Sequence, residues 1–340
     1  MSIKKIAENI KNNMLIIDAH FDLLMDVSIQ RENGRKKVIE TDYFPRFKQG
    51  GINIIIAAIF IDNNYLPEMG LRKALSQISA LYEELKESPD RLMLCLNKND
   101  MIEAQKSGKI GFLLSLEGAE PIGTDISLLR VFFELGVRNL GLVWSRRNAV
   151  GEGSHFSPIR EGRQGGITAF GLQVIEEAER LGMIIDISHL NDEGFLDVIK
   201  HSKNTIIASH SNSRVVSNTM RNLTDQQLQS IAIKGGVIGI NAVSIIVATE
   251  DKKSNLEQYL NHIDHIVDLI GIDHVGIGLD LCDDFFKYVA AESLANMPRK
   301  PFDVIAGHQS FPLIIEGLVI RGYKEGEIEK IVGGNFLRLY

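Results

Sequence analysis

Cysteine is nearly absent: the chain has two, Cys95 and Cys282, far apart and in no CxxC pair. That excludes a disulfide-built scaffold and a thiolate zinc site, and makes a reducing, cytoplasmic setting the expectation. Long apolar runs are missing too. The longest, Ile54–Phe60, falls far short of the roughly 20 residues that span a bilayer. The N-terminal stretch MSIKKIAENIKNNMLIID is polar and amphipathic and does not read as a signal peptide. There is no excess of basic charge: 37 Lys and Arg against 44 Asp and Glu leave a net −7, so no global field draws nucleic acid or an anionic membrane. GxGxxG, P-loop and GxSxG sequences are absent, which removes the usual dinucleotide, phosphate and serine-nucleophile sites. Repeats and Pro/Gly/Ser linkers are absent as well, so residues 1–340 are expected to form a single domain.

The most informative stretch runs from Leu181 to Arg214. Two short apolar runs, Met183–Ile187 and Thr205–Ala208, each stop at a Ser-His pair, Ser188-His189 and Ser209-His210. Between them, residues 191–202 carry Asn191 or Asp192 as N-cap and Phe195, Val198 and Ile199 on one helical face. Strand, helix and strand in so few residues predict a parallel βαβ unit, with both histidines at the carboxyl ends of neighbouring strands. One histidine after a strand is ordinarily a loop or core residue. Two in equivalent places call for a search of the other strand ends, where α/β proteins place their chemistry.

The first apolar run, LIIDAHFDL at 15–23, delivers His20 and Asp22, which share a face at i and i+2. Gly51–Ile61 reads as a buried strand, and Ile110–Leu116 as another ending at Glu117. Val137–Trp144, Val237–Val243 and His274–Leu281 complete eight β-runs, the last delivering Asp280; Arg91–Asn97 is expected to add a short strand. Residues 29–49 show no clear periodicity and are expected to be a surface loop. Capping boxes at Thr224 and Ser254 open helices, and Thr168–Gly182 reads as another with Gly182 at its end. The Gly- and Arg-rich segment 145–166 is long enough to cover a site, and 282–310 is an irregular insertion. Alternation of strands and helices without a linker predicts one (β/α)8 TIM-type barrel. In a closed barrel His20, Asp22, Glu117, His189, His210 and Asp280 converge on one funnel; in a flat sheet they do not.

Three histidines and three carboxylates exceed the needs of one zinc. They suit a pair of ions about 3.5–4 Å apart, one on His20 and Asp22, the other on His189 and His210, with Glu117 bridging. Asp280 is then placed as general base and acid, and the reaction class is hydrolysis of an amide or similar bond. His262 and His265 lie on a polar helix without HExxH; His201, His274 and His308 match no strand end. His155 follows the fourth strand within reach of a substrate, and Cys282 reads as a small packed side chain.

HFD at 20–22, SLEGAE at 115–120, DISHLND at 186–192, SHSNSR at 209–214, MRN at 220–222 and GIGLD at 276–280 together resemble the membrane (renal) dipeptidase, or M19, metallopeptidases. The resemblance runs from IDAHFDL at 17–23 to GGNFLRLY at 333–340. It implies a (β/α)8 barrel with two Zn2+, usually dimeric, cleaving small dipeptides and often accepting a D-residue at the C-terminal position. It also implies the same ligand set, with Asp280 as acid/base and Arg221 holding the substrate's terminal carboxylate. Trp144 stands where mammalian relatives have a histidine that contacts the substrate carbonyl, so less of the oxyanion stabilisation is expected from that side chain. A related amidohydrolase acting on another amide or lactone, or an inactive metal-binding barrel, are the competing expectations.

Overall fold

The computed structural model describes residues 2–155, 165–289 and 297–340. Part of the segment read as long enough to cover the site, 156–164, and part of the irregular insertion, 290–296, therefore lie outside the described residues.

Nine strands form one all-parallel sheet: β1 (Ile17–Phe21), β2 (Ile54–Phe60), β3 (Leu92–Leu94), β4 (Ile110–Glu117), β5 (Val137–Gly141), β6 (Ile184–Asp186), β7 (Ile206–Ala208), β8 (Val237–Ile240) and β9 (Val275–Ile277). Eight of them run in the order β1-β2-β4-β5-β6-β7-β8-β9 and make a nearly closed barrel with alternating helices. β3 is the extra one. It pairs only with the first residues of β4, Leu92 opposite Ile110 through Leu94 opposite Phe112, while β5 takes the later part of that edge. The seam between β9 and β1 is joined outside any strand ladder. Leu279 N–H donates to Asp18 Oδ1 at 2.8 Å, and Asp280 N–H donates to the His20 carbonyl at 3.2 Å.

The apolar runs form strands because a parallel barrel buries both faces of each strand. In β2, Ile54 and Ile56 pack into one apolar cluster, while Ile55, Ala57 and Ile59 pack into another on the opposite face. Helix ends follow their capping residues. Thr168, Asn191 and Thr224 each accept a backbone N–H at the start of a helix, and Gly182 ends one in the left-handed conformation. The helix Leu256–Ile270 is capped by Asn255, one residue later than the Ser254 box predicts, because the Asn255 side chain reaches Gln258 N–H.

Residues 29–49 are not a surface loop. They finish the helix Leu23–Glu32, turn at Gly34, and form a π-helical turn Ile39–Tyr43 running into the helix Phe44–Gly50. Val38, Ile39, Tyr43 and Phe47 are buried, and their helical spacing was hidden by the charged residues between them. Three strands also stop short of their apolar runs, at Gly141, Ile240 and Ile277. The residues beyond them, including Trp144 and Asp280, leave the sheet and line the funnel.

Two glycines make the close approach at the funnel possible. A Cβ on Gly239 or Gly278 would lie 2.0 or 1.8 Å from the Ser209 carbonyl oxygen, so only glycine lets β8 and β9 press against the turn that carries His210. No helix among the described residues is long and apolar enough to cross a membrane.

Candidate metal centre and active site

All six rim residues expected from the sequence meet at the carboxyl end of the barrel. His20 lies within β1 and Asp22 just beyond it; Glu117 is the last residue of β4. His189, His210 and Asp280 sit two or three residues past β6, β7 and β9. His20 Nε2 stands 3.7 Å from Asp22 Oδ2, 3.7 Å from Glu117 Oε2 and 3.8 Å from Asp280 Oδ1. Glu117 Oε1 faces the other side, 3.0 Å from His189 Nε2 and 3.7 Å from His210 Nε2. Glu117 thus presents one oxygen to each half of the cluster.

The backbone is bent to reach this geometry. Among the described residues three non-glycines have positive φ, and two of them are His189 at 70° and Asp280 at 55°. Each costs about 1–3 kcal/mol and persists only where its surroundings fix it. Here the bend turns the side chain off the strand axis and into the funnel.

The donor set fits divalent cations. His20 Nε2, His20 Nδ1, Asp22 Oδ1 and Glu117 Oε2 are buried with no hydrogen-bond partner, an arrangement that a cation would satisfy. Two groups, His20-Glu117-His210 and His20-Asp22-Asp280, each bring their ligand atoms within 4.8 Å of one another. The tautomer of His210 is fixed by its surroundings. Ser209 Oγ gives its proton to Asp186, so it accepts from His210 Nδ1–H at 2.7 Å and leaves Nε2 as a lone pair. His189 Nδ1 is engaged by Ser145 Oγ at 2.8 Å. Burial holds both imidazoles well below their ordinary pKa, further lowered by nearby positive charge, so they are neutral.

The other groups titrate as members of an acidic pit. Burial pushes Glu117 well above the usual carboxylate range, and the charge of Asp22 adds to this. Burial likewise raises Asp280 to about 7 against the opposing pull of His20. Burial alone would lower His20, but Glu117, Asp22 and Asp280 outweigh it and raise it to about 10. The field at the centre of the cluster favours positive charge.

A narrow cavity opens on this cluster. Asp22, Glu117, His189 and Asp280 form its polar floor, and Trp144, Val243, Ile245, Phe285 and Phe286 are among its apolar walls. Arg221 lines it too, although only 3% exposed. Its Nη2 donates to the His210 carbonyl at 3.3 Å and its Nε has no partner. Burial lowers Arg221 to about 10, against the pull of Asp280 and Glu117. Trp144 packs 5.7 Å from the His189 ring, with the Arg146 guanidinium 5.0 Å from its own ring centre.

Other residues noted in the sequence have structural partners. His262 accepts from Ser213 N–H and donates to the Val247 carbonyl; His265 pairs with Asp225. Cys282 borders the cavity, but its thiol donates to Asp303 at 3.0 Å and burial pushes its pKa up, so it remains protonated. His155 is 3.9 Å from Glu152 and does not line the cavity. His308, which matches no strand end, is buried with Nε2 2.7 Å from Asp18 Oδ2, the carboxylate that joins β1 to β9. The sequence reading missed Asp18, Ser145, Asp186, Ser209 and Asn241, which hold the cluster in place. Asp18 stands on β1 two residues before His20, and Asp186 ends the otherwise apolar β6, and that was the available signal.

Comparison with known proteins agrees with this geometry. The family model for membrane dipeptidase (peptidase family M19) matches residues 4–340. The crystal structure of dipeptidase AC, a metallo peptidase of family M19, superposes with a TM-score of 0.83 at 29% identity, covering 96% of this chain and 97% of that one. A metallo peptidase from Rhodobacter sphaeroides, liganded with a phosphinate mimic of the dipeptide L-Ala-D-Ala, gives 0.82 at 28% identity over 96% and 98%. An uncharacterized protein in the pqqA 5' region of Klebsiella pneumoniae is 30% identical over 267 residues, 77% of this chain and 93% of that protein. With a barrel that gathers histidines and carboxylates at one rim and a family match along nearly its whole length, the chain belongs to the membrane dipeptidase family, M19, and is a metallo-dipeptidase.

Proposed function

We propose that the enzyme is a dinuclear zinc dipeptidase whose substrates include dipeptides with a C-terminal D-residue. His20 and Asp22 hold one Zn2+, His189 and His210 the other, and Glu117 bridges them. The observation that carries this is the set of partnerless buried atoms on His20, Asp22 and Glu117 facing two neutral imidazoles. When bound, the pair of ions supplies Lewis acidity toward the peptide carbonyl and acidifies a water.

The chain's own residues do the rest. Asp280 takes a proton from the attacking water and returns it to the leaving amine. Arg221 receives the substrate's terminal carboxylate, and the partnerless Nε leaves room for a two-pronged contact. Trp144 walls the cavity beside His189 and offers no cation to the carbonyl oxygen. The phosphinate mimic of L-Ala-D-Ala held by the Rhodobacter relative supports the choice of a D-residue at the second position. The proposal extends to a cytoplasmic homodimer of single-domain chains, in keeping with the family resemblance and the absence of a spanning helix among the described residues. Light scattering checks the dimer.

The deciding experiment strips the protein of metal, reloads it with zinc, and assays L,L- and L,D-dipeptides beside tripeptides and N-blocked or C-amidated analogues. Zinc-dependent cleavage of the free dipeptides alone is expected. Full metal loading without turnover on any dipeptide would overturn the reading in favour of another amide or lactone.

A further inference from the structure

We infer that Asn241 is a positioning residue for Asp280, and that its amide decides which carboxylate oxygen carries the proton during turnover. The inference rests on the reading of Asp280 as general acid and base. Asn241 follows β8 and is fully buried. Its Nδ2 donates to Asp280 Oδ2 at 2.7 Å, and its Oδ1 accepts from Val243 N–H at 2.7 Å. A backbone N–H can only donate, so the amide cannot be flipped, and the group that meets Asp280 is a donor.

That fixes the proton's place. Oδ2 is occupied as an acceptor, and a proton on it would clash with the amide N–H. Oδ1, 3.8 Å from His20 Nε2, is the oxygen turned toward the cluster and the one left without a donor. In the reaction, water gives a proton to Asp280 Oδ1 as its oxygen bonds to the peptide carbon. The same proton passes from Oδ1 to the nitrogen as the C–N bond breaks.

Asn241 is itself held in a buried frame of asparagines. Its N–H donates to Asn212 Oδ1 at 2.8 Å and its carbonyl accepts from Asn212 Nδ2 at 3.0 Å. Asn212 N–H donates to Asn222 Oδ1 at 3.2 Å, and Asn222 Nδ2 donates to the carbonyls of Ser217 and Ile246, both at 2.9 Å. All three asparagines are 0% exposed. Each amide is oriented by a backbone group, so the frame has one arrangement. Asn222 is next to Arg221, so one rigid network sets the distance between the group that moves the proton and the group that receives the carboxylate.

The test compares zinc-loaded wild type with Asn241→Ser, Asn241→Ala and Asp280→Asn. Serine can still accept from Val243 N–H in the same short turn but does not reach Asp280. Rates are measured on a dipeptide and on its ester analogue, whose leaving oxygen needs no protonation before the bond breaks. In Asn241→Ser, kcat on the dipeptide is expected to fall roughly tenfold to a hundredfold, with KM and zinc content unchanged and the ester affected less. Asn241→Ala should behave alike and is read if the serine variant loses zinc. Unchanged kcat at full zinc content would overturn the inference, and so would an equal fall for ester and dipeptide, which marks a merely structural role. If Asp280→Asn keeps full turnover, it is the proposed function that fails.

Discussion

Ser209 and Ser145 show how a metal centre can be built on hydroxyls. Each stands behind the Nδ1 of a cluster histidine, at 2.7 Å from His210 and 2.8 Å from His189. Such partners fix ring orientation and tautomer, and their loss typically costs a metal site tenfold to a hundredfold in affinity. Ser145→Ala is therefore expected to weaken metal binding by about that factor while leaving the fold intact, as read by titration against a competing chelator. Arg221→Lys tests the carboxylate contact. A lysine ammonium cannot reproduce the planar two-pronged geometry, so KM for free dipeptides should rise roughly tenfold or more, with C-amidated analogues no worse than before. His20 and Asp22 were legible in the sequence because they close the first apolar run, although Asp22 stands just past β1 as a helix N-cap rather than on its face. Asn241 was not, because it falls inside the run 237–243 read as one strand, and the role of Ser209 was not, because nothing in the sequence pairs its hydroxyl with Asp186 and the His210 ring.

At the scale of elements, the turns beyond the strands are tied together by buried polar side chains. His262, on the helix Leu256–Ile270, joins the turn after His210 to the short helix Ser244–Val247, accepting from Ser213 N–H and donating to the Val247 carbonyl. Burial holds it down to about 4, against the hydrogen bond to Val247. Its folded pKa is depressed, so its stabilisation is present above the unfolded value of about 6.5 and is lost as pH falls from there toward 4. The loss should reach about 2 kcal/mol near pH ~5. His262→Gln keeps one acceptor and one donor but does not titrate. The gap in unfolding free energy between pH ~7.5 and ~5 should therefore be smaller in the variant by about that amount, as urea titration measures. Strand cores were readable from their continuous apolar runs, but their ends were not. Leu142 and Val143 are buried beyond the sheet, so hydrophobicity alone overstated β5. The helical segment around Tyr43 was missed for the converse reason: its buried residues are separated by solvent-facing charges.

The whole molecule depends on a seam. Eight strands follow one another around the barrel, and the first and last are joined by Asp18 rather than by a ladder. His308 pairs with that carboxylate at 2.7 Å and is itself packed edge-on against Phe21 and Phe47. Removing one partner of a fully buried pair typically costs about 3–5 kcal/mol because the other is left uncompensated. His308→Ala is therefore expected to be strongly destabilised, with amide exchange rising first in β1 and around Leu279. Uniform exchange across the barrel would speak against the seam as the weak point. The barrel itself was legible from the count and spacing of apolar runs, and the rim residues gained meaning once the strands were taken as closing. Nothing in the sequence paired Asp18 with its seam partners, which lie 261 and 290 residues away.

That separation has a consequence for how the enzyme is made. A ribosome synthesises His20 and Asp22 first, then Glu117, His189 and His210, and Asp280 after all of them. During most of translation the growing chain carries metal-binding side chains but lacks the carboxylate proposed to move the proton. An interrupted chain that ends before β9 would lack Asp280, so the proposed site is complete only once β9 has been made.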